Sequence, residues 1–536
     1  MKKNIINIVL FTALFVTGCT KNFDSINTDP TQASAANFDP NLLLPSGQLG
    51  YIGSITGYNG PILFQSMWTQ TFASATEPGY YSGGDKYVQG GSFYNYQGRT
   101  WDGAYQAGGY FREVQNLTKD KAALSNLSAV AAICEVMSLQ AVTDVYGDCP
   151  FSEALGAKTG ITHPMYDKQQ DIYTGMLKRL DSAIALLDAS KTAPTNDVFS
   201  YHGNVAQWKK FGNSLMLRMA MRLTKVDAAK ARQYAEKAFT GGVFANNDDN
   251  AYIVFDNSHG FSNNNSGPLQ TAEDFSEVKW GKVLIDYLKS TSDPRLGLIA
   301  EVPQPGLALA ADQSLAGDAT PANQMGMPNG YNQNADVRDI SHAPGFPGAS
   351  GTGGDANKTG KYSRPKAAIY LSRNNPSFIL TYAQTEFLLA EAAVRGWSVG
   401  ANSATHYSNG LSAALQTYVT INPAAAITAA AANTYAASNP LDVSTPAASL
   451  QQINTQYWVL TGTIFDFDEA WTNWRRSGYP MLTPVFYPGN FTTGTIPRRQ
   501  AYPTGEAATN PSNLAKAVSA LTGGDTYASR VWWDAN

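Results

Sequence analysis

Charge is what this chain of 536 residues has least of. Asp, Glu, Lys and Arg make up 15% of it, and 42 acids nearly cancel 38 bases to leave a formal net charge of -4. About a quarter is usual. With no basic stripe to neutralise phosphates, the composition argues against nucleic acid as a partner. Cysteine is nearly missing: Cys19, Cys134 and Cys149 are the only 3. Cys134 sits in a segment that reads as helix to about Tyr146, roughly 18 Å from the helix end at a rise of about 1.5 Å per residue. The three residues beyond fold back only part of that distance, and a disulfide needs Cα atoms within about 7 Å. Two separate thiols are expected. Long apolar runs are also missing after the amino terminus. The nearest, Ala424 to Ala437, is too weakly apolar to insert and is broken by Thr428, Asn433 and Thr434. It is expected to be a low-complexity surface insertion.

Catalytic patterns are missing too. His163, His202, His259, His342 and His406 stand singly, with no His-Glu-x-x-His. Gly348-Ala349-Ser350-Gly351-Thr352 fails the nucleophile-elbow pattern at its last position. Gly360-Lys361 lacks the earlier glycine of a phosphate loop and is followed by Tyr362 where that loop has Ser or Thr. Asn246 to Asn250 is acidic without calcium-loop spacing, so loosely bound calcium is the one metal reading it leaves, and no cofactor is expected. A glycosidase needs only two facing carboxylates. Glu77, Asp85, Asp102, Glu273, Asp274 and Glu277 are pieces for one, though solvated loop acids explain them better. The chain does not read as an enzyme.

What is present starts at the amino terminus. Met1-Lys2-Lys3 is positive, Ile5 to Val16 is apolar, and Val16-Thr17-Gly18-Cys19 follows. That order predicts a secretory signal over 1–18 ending in a lipoprotein box, with Cys19 carrying the lipid, palmitate included. The apolar run is short for a permanent span. Residues 19–40, with Asp29-Pro30 and Asp39-Pro40 turns, read as a lipidated leader, and 41–536 as a single domain.

Helical spacing dominates that domain. Leu127–Tyr146 pairs with Asp167–Asp188, and Asn204–Leu223 with a helix capped by Asp227 and reaching Phe239. Tyr382–Trp397 pairs with Ala404–Val419, and Leu450–Leu460 with Phe467–Arg476. Asp466 with Glu469 predicts a capping box for the last helix. The fold class is mostly α: four degenerate tetratricopeptide-like helix pairs with long loop-rich insertions and few short strands, Tyr252–Phe255 being one. The insertions fall around 75–110, 241–280 and 290–378. Loops this long with so many rings are expected to be functional rather than disordered.

Three stretches carry a resemblance. The leader has Asn27-Thr28-Asp29-Pro30 behind Cys19. Ile379 to Trp397 contains Thr385-Glu386-Phe387-Leu388-Leu389-Ala390-Glu391-Ala392 and Arg395-Gly396. The most specific is Glu469-Ala470-Trp471-Thr472-Asn473-Trp474-Arg475-Arg476-Ser477-Gly478-Tyr479-Pro480, followed by Ile496-Pro497-Arg498-Arg499, Tyr502-Pro503, Glu506 and Val531-Trp532-Trp533-Asp534. These resemble the SusD/RagB-like nutrient-binding outer-membrane lipoproteins, in their second SusD-like branch. Gln384 and Thr385 depart from the family's first acidic pair. The arginines of these motifs are expected to hold helix-end carbonyls or buried acids rather than a ligand.

The resemblance implies an α-α superhelix whose helix pairs face a SusC-like TonB-dependent outer-membrane transporter, anchored by lipid and facing the cell exterior. Its loops would capture oligosaccharide. Flat rings with a polar fringe suit sugars, which makes Trp68, Tyr80, Tyr81, Trp101, Trp280, Tyr331 and Phe346 the candidate ligand-binding residues. A RagB-type peptide-binding lid is the alternative within binding. A protein-interaction scaffold and, less favoured, a surface glycan hydrolase are the alternatives of other classes.

Overall fold

The computed structural model of the chain describes residues 38–76, 81–89, 93–304, 315–352 and 356–535. Cys19, the leader motif and Tyr80 lie outside the described residues. From Asn41 onward the chain packs as one unit.

Its frame is built of helices α1 (Leu43–Ser54), α2 (Arg99–Thr118), α3 (Ser125–Tyr146), α4 (Gln169–Leu186), α5 (Val205–Arg222), α6 (Ala228–Gly241), α7 (Lys282–Ser290), α8 (Tyr382–Val394), α9 (Ser403–Gln416), α10 (Ala429–Ser438), α11 (Pro446–Thr463), α12 (Phe467–Ser477) and α13 (Pro511–Ala520). The pairs α3/α4, α5/α6, α8/α9 and α11/α12 pack as the periodicity predicts. Asn204 starts α5 by accepting from the N–H groups of Ala206 and Gln207, and Asp227 starts α6 by accepting from that of Lys230. Strand structure is sparse. Antiparallel pairs join β1 (Phe72–Ala73) to β3 (Lys279–Trp280), β2 (Ala251–Ile253) to β6 (Ser377–Leu380), and β4 (Ala300–Glu301) to β5 (Arg364–Pro365). The fold is mostly α, with tetratricopeptide-like helix pairs and long connections.

Several expectations need correction. Residues 99–110 are not loop but the first turns of α2, which buries Trp101, Ala104, Ala107, Phe111 and Val114 along one stripe. Glycines hide this helix in the sequence, and Gly103 serves close packing. A Cβ on Gly103 would come within 2.6 Å of the Ser54 Cβ on α1. The Ala-rich stretch is not a surface appendage throughout, because α10 buries Ala432, Tyr435 and Ala436. Among the described residues one helix, within Ala122–Tyr146, is apolar and long enough to cross a membrane, and it is mostly buried in the core. Cys134 and Cys149 are buried, free thiols.

The capping box predicted at the start of α12 does not form. The Asp466 carboxylate accepts instead from Gln384 Nε2 (3.0 Å) on α8, and Glu469 turns inward to Arg222 Nη2 (2.5 Å) and the Tyr457 hydroxyl (2.7 Å). A capping box does form at the start of α8, between Thr381 and Gln384.

The arginines of the last motif are locking residues, as expected. Arg476 reaches both oxygens of Glu391 on α8 at 2.7 Å, and Arg395 holds the same carboxylate at 2.7 Å. Arg475 donates to the carbonyls of Asp144 (2.6 Å) and Arg498 (3.0 Å). Arg499 donates to the Tyr146 carbonyl (3.0 Å) and to Asp525 (2.5 Å). Burial works to raise the Glu391 carboxyl, but the Arg476 and Arg395 guanidiniums outweigh it and hold the group well below the usual carboxylate range.

Removing Arg476 strands a buried carboxylate, so Arg476→Ala is expected to lower unfolding free energy by about 3–5 kcal/mol, read by urea denaturation. Because the folded-state pKa of Glu391 is depressed, its contribution is present above the unfolded value near 4.5 and is lost as pH falls toward the folded value. Acid unfolding of Glu391→Gln is expected to depend less on pH below about 4.5 than that of the wild type.

Candidate functional site

Four of the candidate rings are core residues. Trp68 is 0% exposed, with its ring 5.1 Å from Trp471 and 5.4 Å from Phe64. Trp280, also 0% exposed, lies 4.7 Å from Phe72 and donates from Nε1 to the Ile299 carbonyl. Trp101 packs edge-on against Tyr105, Tyr146 and Tyr502. Tyr81 is fully buried. The polar residues near Trp68 and Trp280 in sequence, Gln65, Gln70 and Lys279, are themselves buried.

Tyr331 and Phe346 are different. Both are half-buried and pack on a small cluster of Ala73, Ala75, Met327, Ile340, Ala343 and Tyr362. Tyr331 also lines an open groove of about 460 Å³ between the 328–338 loop, the 483–486 segment and the first turns of α7. That size suits a small ligand, for which about 300–1,000 Å³ is common.

The groove combines flat apolar surface with a polar fringe. Phe486 is 66% exposed and Val337 86% exposed. Around them stand Asn329, Thr483, Gln70, Arg338 and the Lys282–Asp286 pair on α7. Arg338 lies 5.3 Å above the Tyr487 ring and donates to the Phe486 carbonyl (2.8 Å). Of these residues the sequence points to Tyr331 alone. The signal for Phe486 was a ring held between Pro484 and Pro488 in a segment with neither helical nor strand spacing.

Buried carboxylates set the walls. Asp85 accepts from Asn329 Nδ2 (2.5 Å) and the Gly330 N–H (2.7 Å), and faces Lys86 at 3.7 Å. Burial pushes its carboxyl up, while Lys86 and these donors pull back. Gly330 sits at φ +88°, and a Cβ there would meet Val485 at 2.8 Å, so the turn that presents Tyr331 needs glycine. Asp339 closes the same loop. Burial opposes its charge, yet Lys358 Nζ (2.6 Å), Ser341 and the Ala335 N–H donate to it and hold the carboxyl well below the usual range. The other wall is fixed by Gln70, which donates to the Thr483 carbonyl (2.5 Å).

Asp85 is therefore committed to structure and not to acid–base work. Of the other acids considered, Asp102 is exposed on the outer face of α2, where burial and the Glu506 charge raise its carboxyl, and Glu77 lies outside the described residues. Asp249, in the acidic stretch, is taken by Lys210 (2.9 Å) and the Ala245 N–H. Among the described residues no cluster of three or more His, Cys, Asp or Glu is placed to hold a metal ion.

Residues 56–503 match the profile of a SusD-like family described as starch-binding associating with outer membrane. A solved chitin-binding protein is 29% identical and superposes with a TM-score of 0.76 over 93% of this chain and 100% of its own. A Bacteroidetes SusD-like structure, 24% identical, gives 0.78 over 93% and 100%. A chitin-binding SusD homolog from Flavobacterium johnsoniae, also 24% identical, gives 0.71 over 92% and 99%. No curated protein sequence matches the chain.

Asp85→Asn keeps the shape but replaces an acceptor with a donor facing Asn329 and the Gly330 N–H. It is expected to cost about 1–3 kcal/mol of stability and to speed amide exchange at Gly330 and Tyr331. Unchanged exchange there would show that Asp85 does not hold the wall.

Proposed function

The chain belongs to the SusD-like family, and from that premise we propose that it is a nutrient-binding lipoprotein of the outer membrane that captures oligosaccharide in the Tyr331–Phe486 groove. The observation that carries this reading is the groove itself: the exposed Phe486 ring and the half-buried Tyr331 ring edged by Asn329, Thr483, Arg338 and Asp286. Sugar rings offer C–H faces to such a surface and hydroxyls to its rim. The walls are held by buried hydrogen bonds before any ligand arrives, which lowers the ordering cost of binding. Phe346, packed behind Tyr331, supports the wall.

The same reading makes the chain a receptor rather than an enzyme. Cys19 carries palmitate and tethers it, the helix pairs face a SusC-like TonB-dependent transporter, and the captured glycan passes to that transporter. The family's description and the 29%-identical chitin-binding relative make glucose oligomers and N-acetylglucosamine oligomers the first ligands to test.

Calorimetric titration of the full chain in detergent with both oligomer series is expected to give saturable binding to at least one. Tyr331→Ala with Phe486→Ala should weaken that binding about tenfold or more without moving the thermal midpoint. Unchanged affinity in the double variant would remove the groove from the proposal, and turnover of the bound glycan would make the chain a hydrolase. Cys19→Ser is expected to shift the protein out of the membrane fraction. Its continued co-sedimentation with membranes would overturn the lipid tether.

A further inference from the structure

A second cavity, of about 510 Å³, opens elsewhere on the surface and has a different chemistry. Its lining includes Arg99, Arg373, Asn59, Asn264 and Tyr58, with Asp274 as the one acid among the described lining residues. Arg99 is held in place from behind: Nε donates to the Thr56 carbonyl (3.3 Å) and Nη2 to the Gly53 carbonyl (2.6 Å). No carboxylate pairs with it among the described residues, and burial pulls its pKa down. Arg373 Nε is buried and has no hydrogen-bond partner.

The pocket is built rather than incidental. The Asn263 N–H donates to the Arg373 carbonyl (2.8 Å), and Asn263 Nδ2 donates to the Asn375 carbonyl (2.8 Å), which ties the loop bearing Asn264 to the strand approach bearing Arg373. Asn265 Oδ1 accepts from the Gly57 N–H (2.8 Å). Around Gly57 the groups converge: a Cβ placed there would lie 3.4 Å from Arg99 Nη2 and 3.6 Å from Asn59 Oδ1. A desolvated guanidinium without a carboxylate is costly in an empty site. It becomes favourable when an anion accepts its N–H groups, and planar oxyanions match that fork.

We propose that this cavity is a second binding site, one that takes an oxyanion, carboxylate or sulfate ester, carried on a sugar. The Arg373 guanidinium binds the charge, Arg99 adds its field, and the Asn59 and Asn264 amides with the Tyr58 ring meet the sugar. That the anion rides on a sugar rests on the glycan reading above; the charge preference does not.

Arg373 is the residue to change, because its side chain makes no hydrogen bond or ion pair among the described residues, whereas Arg99 holds two backbone carbonyls. The full chain in detergent is titrated with three oligosaccharides of equal length: an oligogalacturonate, a sulfated galactan oligomer and a neutral galactan oligomer. At least one acidic oligomer is expected to bind, more weakly as salt rises, and Arg373→Gln is expected to weaken it on the order of tenfold to a hundredfold. The arm that binds identifies carboxylate or sulfate. Arg373→Lys should restore part of the affinity, which a purely structural role would not produce. The Tyr331→Ala, Phe486→Ala double variant should keep acidic-sugar binding, so loss of the groove reading and loss of this one are separable. If neither acidic oligomer binds, or if Arg373→Gln leaves their affinity unchanged, the proposal is overturned.

Discussion

Two adjacent buried arginines on α12 tie that helix to the elements around it. Arg476 meets the buried Glu391 through both oxygens. Arg475 has no carboxylate in hydrogen-bond contact. It is held by the carbonyls of Asp144 and Arg498 and lies 3.5 Å from the Trp471 ring centroid and 4.7 Å from that of Trp533. Burial pulls its pKa down to about 9, so it stays charged near neutrality. A buried cation of this kind is tolerable when carbonyl oxygens meet its terminal N–H groups and ring faces cover the rest of the guanidinium, whose Nε has no hydrogen-bond partner among the described residues. The arrangement therefore fixes α12 against α3, α8 and the C-terminal segment together, because moving any one would leave a charge unpaired.

The groove inherits its geometry from that lock. The chain leaves α12 at Gly478, and Trp474 Nε1 donates to the Pro480 carbonyl (3.1 Å) just before residues 483–486 form one wall. The facing wall hangs from Asp85, which sits inside the core and reaches out to the Asn329–Gly330 turn. Both walls are thus tied to buried polar groups within a few residues of the exposed rings. A ligand meets rings whose backbone is already ordered, and less of its binding energy goes to ordering them.

The helical frame was legible because packing imposes a period. Every expected pair between Leu127 and Arg476 is present, with ends shifted by a few residues, and the arginine motif was rightly assigned to locking. The frame failed to show where the period was masked: α2 carries Gly103, Gly108 and Gly109, and these read as loop although Gly103 lets α1 approach. The capping box at Asp466 failed for a different reason. Its two acids have better partners across the core, in Gln384 and Arg222, than the local N–H groups they were matched to. Tertiary demand overrode a local motif, and sequence spacing has no access to that demand.

The binding residues were the least legible, and the cause lies in the scarcity of charge. In most chains a ring flanked by polar residues is near solvent, because those residues are often charged and charges resist burial. Here the flanking residues are mostly neutral amides and hydroxyls, which bury readily once hydrogen-bonded. Gln65, Thr69 and Gln70 all went inside with Trp68. Where charge did flank a ring, helical geometry separated them: on α2, Trp101 faces the core while Asp102 faces out. The informative positions were instead rings and arginines in segments with no period at all, such as Tyr331, Arg338, Arg373 and Phe486. With no helix or strand to turn them inward, their orientation is set by a few buried anchors, Asp85 and Asn263 among them, and the surface chemistry left over is what a ligand can read.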